Sequence, residues 1–244
     1  MNRGIYTGAR GMMTTTQWMD VISNNLANSG TDGYKADTLA FTDVMMKNLY
    51  ANGGKGVYLG SIGNGPAATA NSIDRSVGTI RTTGNALDVA LRTPQGMFAV
   101  QMNGQTYYTR NGSFSLDSAG HLVTNQGLPV LDTKGSPITI TGKGKVMIDE
   151  QGLVHQGDNV VAQIGIYESD FAKAGLNLWT AGTQTPQPVA NPELATNSLE
   201  ASNVEPIQAM VDLIKVQRSF EESQRSIQTQ DDMTGKLFEI LNRH

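Results

Sequence analysis

A helical pattern that runs from Ser202 to Leu241 is the feature that most constrains how this chain folds. Only Gly235 interrupts it, and at 1.5 Å per residue these about 39 residues make a helix roughly 58 Å long. An average helix in a globular protein has about 11–12 residues. Because a helix this long rarely lies on a small domain of its own chain, we expect it to contact other subunits.

The start of this helix is marked by Ser202-Asn203-Val204-Glu205, which fits a capping box, with Pro206 tolerated in the first turn. Polar residues occupy about half of the positions in the seam where a coiled coil would have apolar ones. Leu213, Phe220 and Ile227 repeat every seven residues, but Gln217, Gln224 and Asp231 fill the second seam position. A mixed seam suits a helix that touches several neighbours through narrow strips. The alternative is a surface helix with a solvated face.

A second helix is predicted at about residues 2–28, where apolar residues recur every seven positions. Small residues form another stripe, made of Gly4, Gly8, Gly11 and Thr15. Each glycine costs a helix about 1 kcal/mol relative to alanine, so three on one face indicate close packing of a neighbour. A weak, frayed helix is the alternative.

Between the helices, short apolar runs and turn signals alternate from residue 84 to about 170. Asn103-Gly104, flanked by two such runs, is a strong signal for a two-residue β-hairpin turn. The predicted fold class is therefore α+β, with long N- and C-terminal helices in a coiled-coil-like pair flanking a central antiparallel β domain. The expected divisions are an N-terminal helix at 1–35, an extended Gly-rich linker or arm at 36–80, the β domain at 81–180, a Pro-containing linker at 181–200 and a C-terminal helix at 201–244.

The composition argues against several classes of protein. The net charge is −4, which gives no basic surface for nucleic acid, and the chain has no cysteine for a disulfide or thiolate site. We expect no cleaved signal peptide and no membrane insertion, because no apolar run approaches about 18 residues.

Two terminal helices can pair only with each other, and one pair leaves outer apolar faces uncovered. Stacking against further copies would bury them, and a contact whose rotation does not close gives an open helical filament. The predicted subunit-interface residues are Ile5, Met12, Met19, Ile22, Leu26, Ile207, Met210, Leu213, Ile214, Phe220, Ile227, Leu237 and Leu241.

Four short strings stand out along the chain: Ser23-Asn24-Asn25-Leu26-Ala27-Asn28, Gly33-Tyr34-Lys35, Tyr108-Thr109-Arg110-Asn111-Gly112-Ser113-Phe114 and Leu199-Glu200-Ala201-Ser202-Asn203-Val204. In sequence and in order they resemble the signatures of the flagellar rod and hook family. One departure is Ser29-Gly30, where the family more often has Val or Ala.

The resemblance implies a structural subunit of a tube that carries torque and serves as an export channel, with its terminal helices lining the inner wall. The expected partners are copies of itself, other rod and hook subunits, the flagellar type III export machinery and the surrounding rings. It implies no cofactor, and a basal-body location that spans the periplasm in a two-membrane cell. The proximal rod is favoured over the distal rod. Structural roles are expected for Asn24, Asn25, Asn28, Gly33, Ser202, Asn203, Gln217 and Arg218.

Competing functions stay open at this point. A glycan hydrolase acting on cell wall lacks a clear acid/base pair, because Asp149 and Glu150 are adjacent and would face opposite sides of a strand. His121, His155 and His244 are far apart, and none lies in a metal-spacing motif. A secreted β-domain binding module or adhesin with helical anchoring termini is the remaining alternative.

Overall fold

A computed structural model describes residues 3–43, 47–50, 58–62, 66–142, 144–175 and 177–241. Side chains are described within these ranges except at 3, 43, 47–50, 58–62, 66–71, 237, 240 and 241. The side chains of Leu237 and Leu241, both predicted interface residues, therefore lie outside the described part, as does much of the Gly-rich stretch at 50–66. The chain divides into two compact units. Unit 1 consists of 1–27, 37–74 and 205–244, and unit 2 of 28–36 and 75–204.

Unit 1 contains both helices and the strands nearest to them in sequence. Its elements are α1 (Arg3–Ala27), β1 (Asp37–Asp43), β2 (Lys47–Tyr50), β3 (Tyr58–Ile62), β4 (Pro66–Ile73) and α2 (Pro206–Leu241). The α+β prediction is confirmed. The described part of the segment expected to be an extended arm contains two antiparallel pairs, β1 with β4 and β2 with β3.

The glycine stripe of α1 faces α2. A Cβ added at Gly8 would lie 2.9 Å from Cγ1 of Ile227, and one added at Gly4 would overlap the side-chain amide of Gln230. The close packing that the stripe predicted therefore occurs within one chain, with α2 as the neighbour. On another part of α1, Trp18 meets Phe41 of β1 edge to face, with ring centroids 5.3 Å apart.

Unit 2 is built from short strands. They are β5 (Ile80–Thr82), β6 (Val89–Leu91), β7 (Met97–Met102), β8 (Gln105–Thr109), β9 (Phe114–Leu116), β10 (Leu122–Thr124), β11 (Val146–Ile148), β12 (Leu153–Gln156), β13 (Asn159–Gln163), β14 (Ile166–Glu168), β15 (Phe171–Gly175), β16 (Leu178–Ala181), β17 (Gln187–Pro188), β18 (Leu194–Thr196) and β19 (Ser198–Glu200). The largest sheet has the order β15-β16-β8-β7-β14-β17.

The hairpin predicted at Asn103-Gly104 is confirmed. It joins β7 to β8, and both residues have positive φ, 52° and 77°, as a type I′ turn requires. The same sheet face contributes to a buried apolar cluster whose members include Val89, Phe98, Val100, Leu122, Val130, Val154, Ile164 and Leu194. Alternation along the short strands, with one face turned inward, produces this core.

A repeated Asp-x-x-Gly turn shapes the β-rich middle. In the turns that begin at Asp117, Asp132 and Asp149, one carboxylate oxygen accepts hydrogen bonds from the backbone N–H groups two and four residues later. The glycine at the fourth position has positive φ each time, between 75° and 86°. The side chain thus satisfies backbone donors that the tight turn leaves unpaired.

Residues 181–200 were expected to form a linker. In the structure they provide β18, which pairs with β6, and β19, which pairs with β5. Leu194 and Leu199 are buried. The prolines that suggested a linker, such as Pro192, precede these strands and leave their hydrogen-bonding positions free.

Candidate functional site

The predicted interface residues divide into two groups on the helices. Ile22 of α1 is buried within unit 1, and the other inward residues are half-buried, namely Ile5, Met12, Met19, Leu26, Leu213, Phe220 and Ile227. Val216 is more deeply buried than any of these α2 residues. It was not predicted, because a valine outside the seven-residue repeat gives no heptad signal.

The second group stays exposed on α2. This group is Ile207, Met210 and Ile214, and Ile207 keeps 80% of its surface accessible. Val211, which was not among the predicted interface residues, is exposed beside them, so that four apolar residues at i, i+3, i+4 and i+7 share one face. We call these four residues the outer strip. A contiguous apolar strip of this kind on an otherwise polar helix is a feature of protein–protein contact surfaces.

The second candidate site lies inside unit 2, where the chain enters and leaves that unit. Three segments meet there: the incoming segment (28–36), the returning segment (75–82) and the outgoing segment (198–204). Together we call them the junction. Every point at which the chain passes between the two units borders one of these segments.

The carboxylate of Glu200 lies at the centre of the junction and is fully buried. Its Oε1 accepts a hydrogen bond from Nζ of Lys35 at 2.5 Å and from the backbone N–H of Gly78 at 2.9 Å. Its Oε2 accepts one from Nε of Arg110 at 2.6 Å. One negative charge therefore faces two positive charges, and all three side chains are excluded from water.

The donors that Glu200 leaves unused are satisfied by backbone carbonyls. Nζ of Lys35 also donates to the carbonyl of Ser76, and the guanidinium of Arg110 donates to the carbonyls of Gly96 and Leu91 at 2.5 and 3.0 Å. Buried ions are tolerated only when their geometry and their remaining donors are matched in this way. The arrangement stabilises one geometry of the three segments rather than supplying a reactive group.

Contacts hold the incoming segment from Asp32 to Lys35. Gly33 adopts φ +69°, the left-handed value expected for this glycine, and its N–H donates to the carbonyl of Glu200 at 2.7 Å. Nζ of Lys173 donates to the carbonyl of Lys35 and lies 4.4 Å from the ring centroid of Tyr34, a cation–π contact. Asn177 donates its side-chain amide to the carbonyl of Asp32.

The outgoing segment is tied to the incoming one through Asn203. Its Oδ1 accepts from the N–H of Ala36 at 2.8 Å, and its own N–H donates to the carbonyl of Tyr34. Asn28, at the other end of the incoming segment, accepts at its carbonyl from the N–H of Thr31. The side chain of Asn203 thus organises non-helical backbone, whereas the bond to Thr31 uses the backbone carbonyl of Asn28.

The predicted capping box at Ser202 is wrong. The hydroxyl of Ser202 accepts from the N–H of Val204 at 3.2 Å, whereas α2 begins at Pro206 and its first helical bond runs from Ala209 N–H to the carbonyl of Glu205. Proline lacks an N–H and suits the first helical position, so it moves the N-cap from Ser202 to Glu205.

The other motif residues lie in unit 1. The side-chain amide of Asn25, near the end of α1, forms two hydrogen bonds with the backbone of Asp37. Its Nδ2 donates to the carbonyl at 2.8 Å, and its Oδ1 accepts from the N–H at 2.9 Å. Asn24, Gln217 and Arg218 are exposed on the two helices.

The described residues show no catalytic constellation around these sites. No group of three or more His, Cys, Asp or Glu side chains among them could hold a metal ion. Oδ2 of Asp149 accepts a hydrogen bond from Nε2 of His155 at 2.8 Å, but Asp149 serves the turn described above. No helix of the described chain is long and apolar enough to span a membrane.

Comparisons with known proteins settle the family. Three family models match: flagella basal body rod protein at residues 5–35, the flagellar hook protein FlgE/F/G D1 domain at 93–156, and the flagellar basal body rod FlgEFG protein C-terminal region at 195–240. Flagellar basal-body rod protein FlgF of Caulobacter vibrioides is 34% identical over 249 residues, covering 100% of this chain and 99% of that protein. This chain belongs to the flagellar basal-body rod protein family.

Further relatives of this rod protein carry two names. Flagellar basal-body rod protein FlgF of Escherichia coli is 32% identical, covering 99% of both chains. Flagellar basal-body rod protein FlgG of Bacillus subtilis is 29% identical, covering 98% of this chain and 99% of that one. The chain is a structural subunit of the flagellar basal-body rod, and its family assembles with other rod and hook subunits. The alternative of a binding module or adhesin finds no support in these relatives.

The structure gives the family strings a physical meaning. Two of these strings meet in the junction, namely Gly33-Tyr34-Lys35 and Leu199-Glu200-Ala201-Ser202-Asn203. Lys35 and Glu200 bond to each other there although they are 165 positions apart in the sequence. The string around Arg110 supplies the second cation. The first family model ends at residue 35, inside the incoming segment, and the last begins at residue 195, shortly before the outgoing segment.

Proposed function

We propose that this rod subunit assembles through its two terminal helices, which pair in a coiled-coil-like manner and present the outer strip of α2 to neighbouring subunits. The observation that supports this most directly is the exposure of four apolar side chains on one face of α2. Burying them between subunits removes apolar surface from water, at about 25 cal/mol for each Å². The inward residues of the predicted interface then hold α1 and α2 together.

We propose further that the junction carries torque between the helices and the β unit. A tube that transmits rotation needs connections that do not swing freely, because a flexible linker absorbs strain instead of passing it on. All connections of the chain between its two units border the junction. Buried and paired charges are suited to this task, since each has few alternative partners of matching geometry.

The finer assignment is a proximal-rod subunit, as the sequence strings favoured. Export through the flagellar type III machinery, contact with the surrounding rings and a place in a periplasm-spanning tube complete the proposal. It includes no catalytic step, no cofactor and no nucleic acid. Support comes from the family as a whole and from the relatives named FlgF.

The test of helix-mediated assembly is Ile214→Asp. Ile214 is exposed, so the aspartate places no charge inside the free subunit, whereas in an assembled contact it buries an unpaired carboxylate. We expect loss of rod assembly and of swimming, with the circular dichroism of the free subunit unchanged.

The matched control is Ser226→Asp, which adds the same charge at an exposed position of the same helix, about a third of a turn around from Ile214. It should leave assembly intact. Normal assembly by Ile214→Asp, or an equal loss in both variants, would show that the outer strip is not the contact surface.

A further inference from the structure

We propose that the junction is a latch: its three segments open and close together, held by the carboxylate of Glu200, while the rest of unit 2 stays folded. The proposal rests on the contacts inside unit 2 and not on the proposed role in assembly. It assigns Glu200 the part of a single closing group on which all three segments depend.

Glu200 contacts every segment of the junction. Its Oε1 accepts from Lys35 of the incoming segment and from Gly78 of the returning segment, and its carbonyl accepts from Gly33. Its backbone pairs with Ile80 in the β19–β5 ladder. Because these anchors share one residue, the loss of its charge weakens the hold on both other segments at once.

The main core does not hold these segments. Among the described residues, the large apolar cluster of unit 2 contains no side chain from 28–36, 75–82 or 198–204. Hydrogen bonds, ion pairs, the Tyr34–Lys173 contact and the side chain of Leu199, which is buried outside that cluster, attach the segments instead. Regions with few contacts to a core open locally at a lower free energy than the core itself, in cooperative groups.

Charge balance explains why the opening is cooperative. If only the outgoing segment left, Lys35 and Arg110 would stay buried without their counter-charge, which is strongly unfavourable. Arg110 directly follows β8 and keeps two backbone carbonyl partners, so it stays in place, and its charge gains water only when the segments packed against it leave. Lys35 is carried by the incoming segment, and moving that segment into water relieves its charge. Opening of one segment therefore favours opening of the others.

The consequence is that one carboxylate controls three attachments. Residue 28 follows α1, residue 75 follows β4, and residue 204 precedes α2. When the latch opens, these three connecting segments are released from the rest of unit 2. A closed latch fixes them together. The subunit thus has a built-in means to switch between fixed and free connections without unfolding its β core.

Hydrogen exchange followed by mass spectrometry on the full chain tests this. The reporting amides are Gly33, Ala36, Gly78, Ala201 and Asn203, each of which donates to an acceptor within the junction. In Glu200→Gln we expect them all to exchange at least about a hundredfold faster, by a common factor, because a buried ion cluster loses its anion. Amides of β7 and β8 should keep their wild-type rates.

The control is Arg81→Gln, which breaks the ion pair between Arg81 of the returning segment and Asp32 of the incoming segment. Because this pair is largely exposed, the exchange rates of the reporting amides should rise only a few-fold. Exchange rising in one segment alone, rising equally in β7 and β8, or rising as much in Arg81→Gln would each overturn the latch.

If Glu200→Gln does not fold, hydrogen exchange of the wild-type chain still tests the latch. Exchange measured over a range of low urea concentrations gives the opening free energy of each amide. The latch requires one shared value for the three segments, below that of β7 and β8. Three different values, or one value equal to that of the β7–β8 core, would refute it.

Discussion

Gly33→Ala is the substitution that probes the junction most sharply. The residue has φ +69°, and a Cβ built there would lie 2.5 Å from the carbonyl carbon of Arg110, 2.7 Å from its oxygen and 2.7 Å from the N–H nitrogen of Asn111. All three atoms are backbone, so no side chain can rotate away. The incoming segment or the end of β8 has to shift.

The magnitude follows from two contributions. Holding alanine in the left-handed region costs about 1–2 kcal/mol. Forcing an extra carbon into a packed site costs typically about 1–3 kcal/mol more. Gly33→Ala should therefore lower the free energy of unfolding of unit 2 by about 2–5 kcal/mol.

Gly84→Ala separates the two contributions. Gly84 also belongs to unit 2 and has φ +81°, but no atom lies within 4 Å of an added Cβ. It should lower the free energy of unfolding by only about 1–2 kcal/mol, from the backbone conformation alone. The difference between the two variants then measures the close approach at the junction.

Urea unfolding followed by tryptophan fluorescence gives these values. Trp179 is fully buried in unit 2, and Trp18 belongs to unit 1, so a Trp18→Phe background leaves one reporter for unit 2. The reasoning fails if Gly33→Ala and Gly84→Ala destabilise unit 2 by the same amount within about 0.5 kcal/mol. Equal losses would mean that the incoming segment does not pack against Arg110 in solution.

The remaining prediction concerns acid stability at the repeated turns. Partial burial raises the pKa of Asp149, but hydrogen bonds from His155, Leu153 and Gln151 outweigh it and hold the pKa below 3.8. A lowered pKa stabilises the fold above the unfolded value, and this stability is lost as pH falls through the folded value. Asp149→Ala should thus cost about 1–2 kcal/mol at pH 7 and less near pH 3, by urea unfolding. In His155→Ala the pH dependence that comes from Asp149 should be weaker, and an unchanged pH dependence would contradict the role of His155.

The sequence predicted the parts of this fold that rest on local patterns. Seven-residue spacing located both helices, and Asn103-Gly104 located a hairpin, because these signals depend on neighbours a few positions apart. The Asp-x-x-Gly repeat was also visible in the sequence. Its meaning as one turn type required the shared hydrogen-bond geometry.

The junction could not be derived in the same way. Lys35 and Glu200 are 165 positions apart, and an isolated lysine or glutamate is normally a surface residue. Only the family strings drew attention to their neighbourhoods, without indicating that they meet. The strands at 187–200 were missed for a related reason, since strands of two or three residues carry too little alternation to be recognised.

Accessibility of the outer strip in native basal bodies tests the central claim most directly. The chain has no cysteine, so Ile214→Cys introduces a single thiol at an exposed position of α2. Its labelling by a maleimide would be compared between the free subunit and purified basal bodies, each normalised to the urea-unfolded chain. A rod subunit that assembles through its helices predicts rapid labelling when free and strong protection in the basal body. Equal labelling in both states would contradict the account.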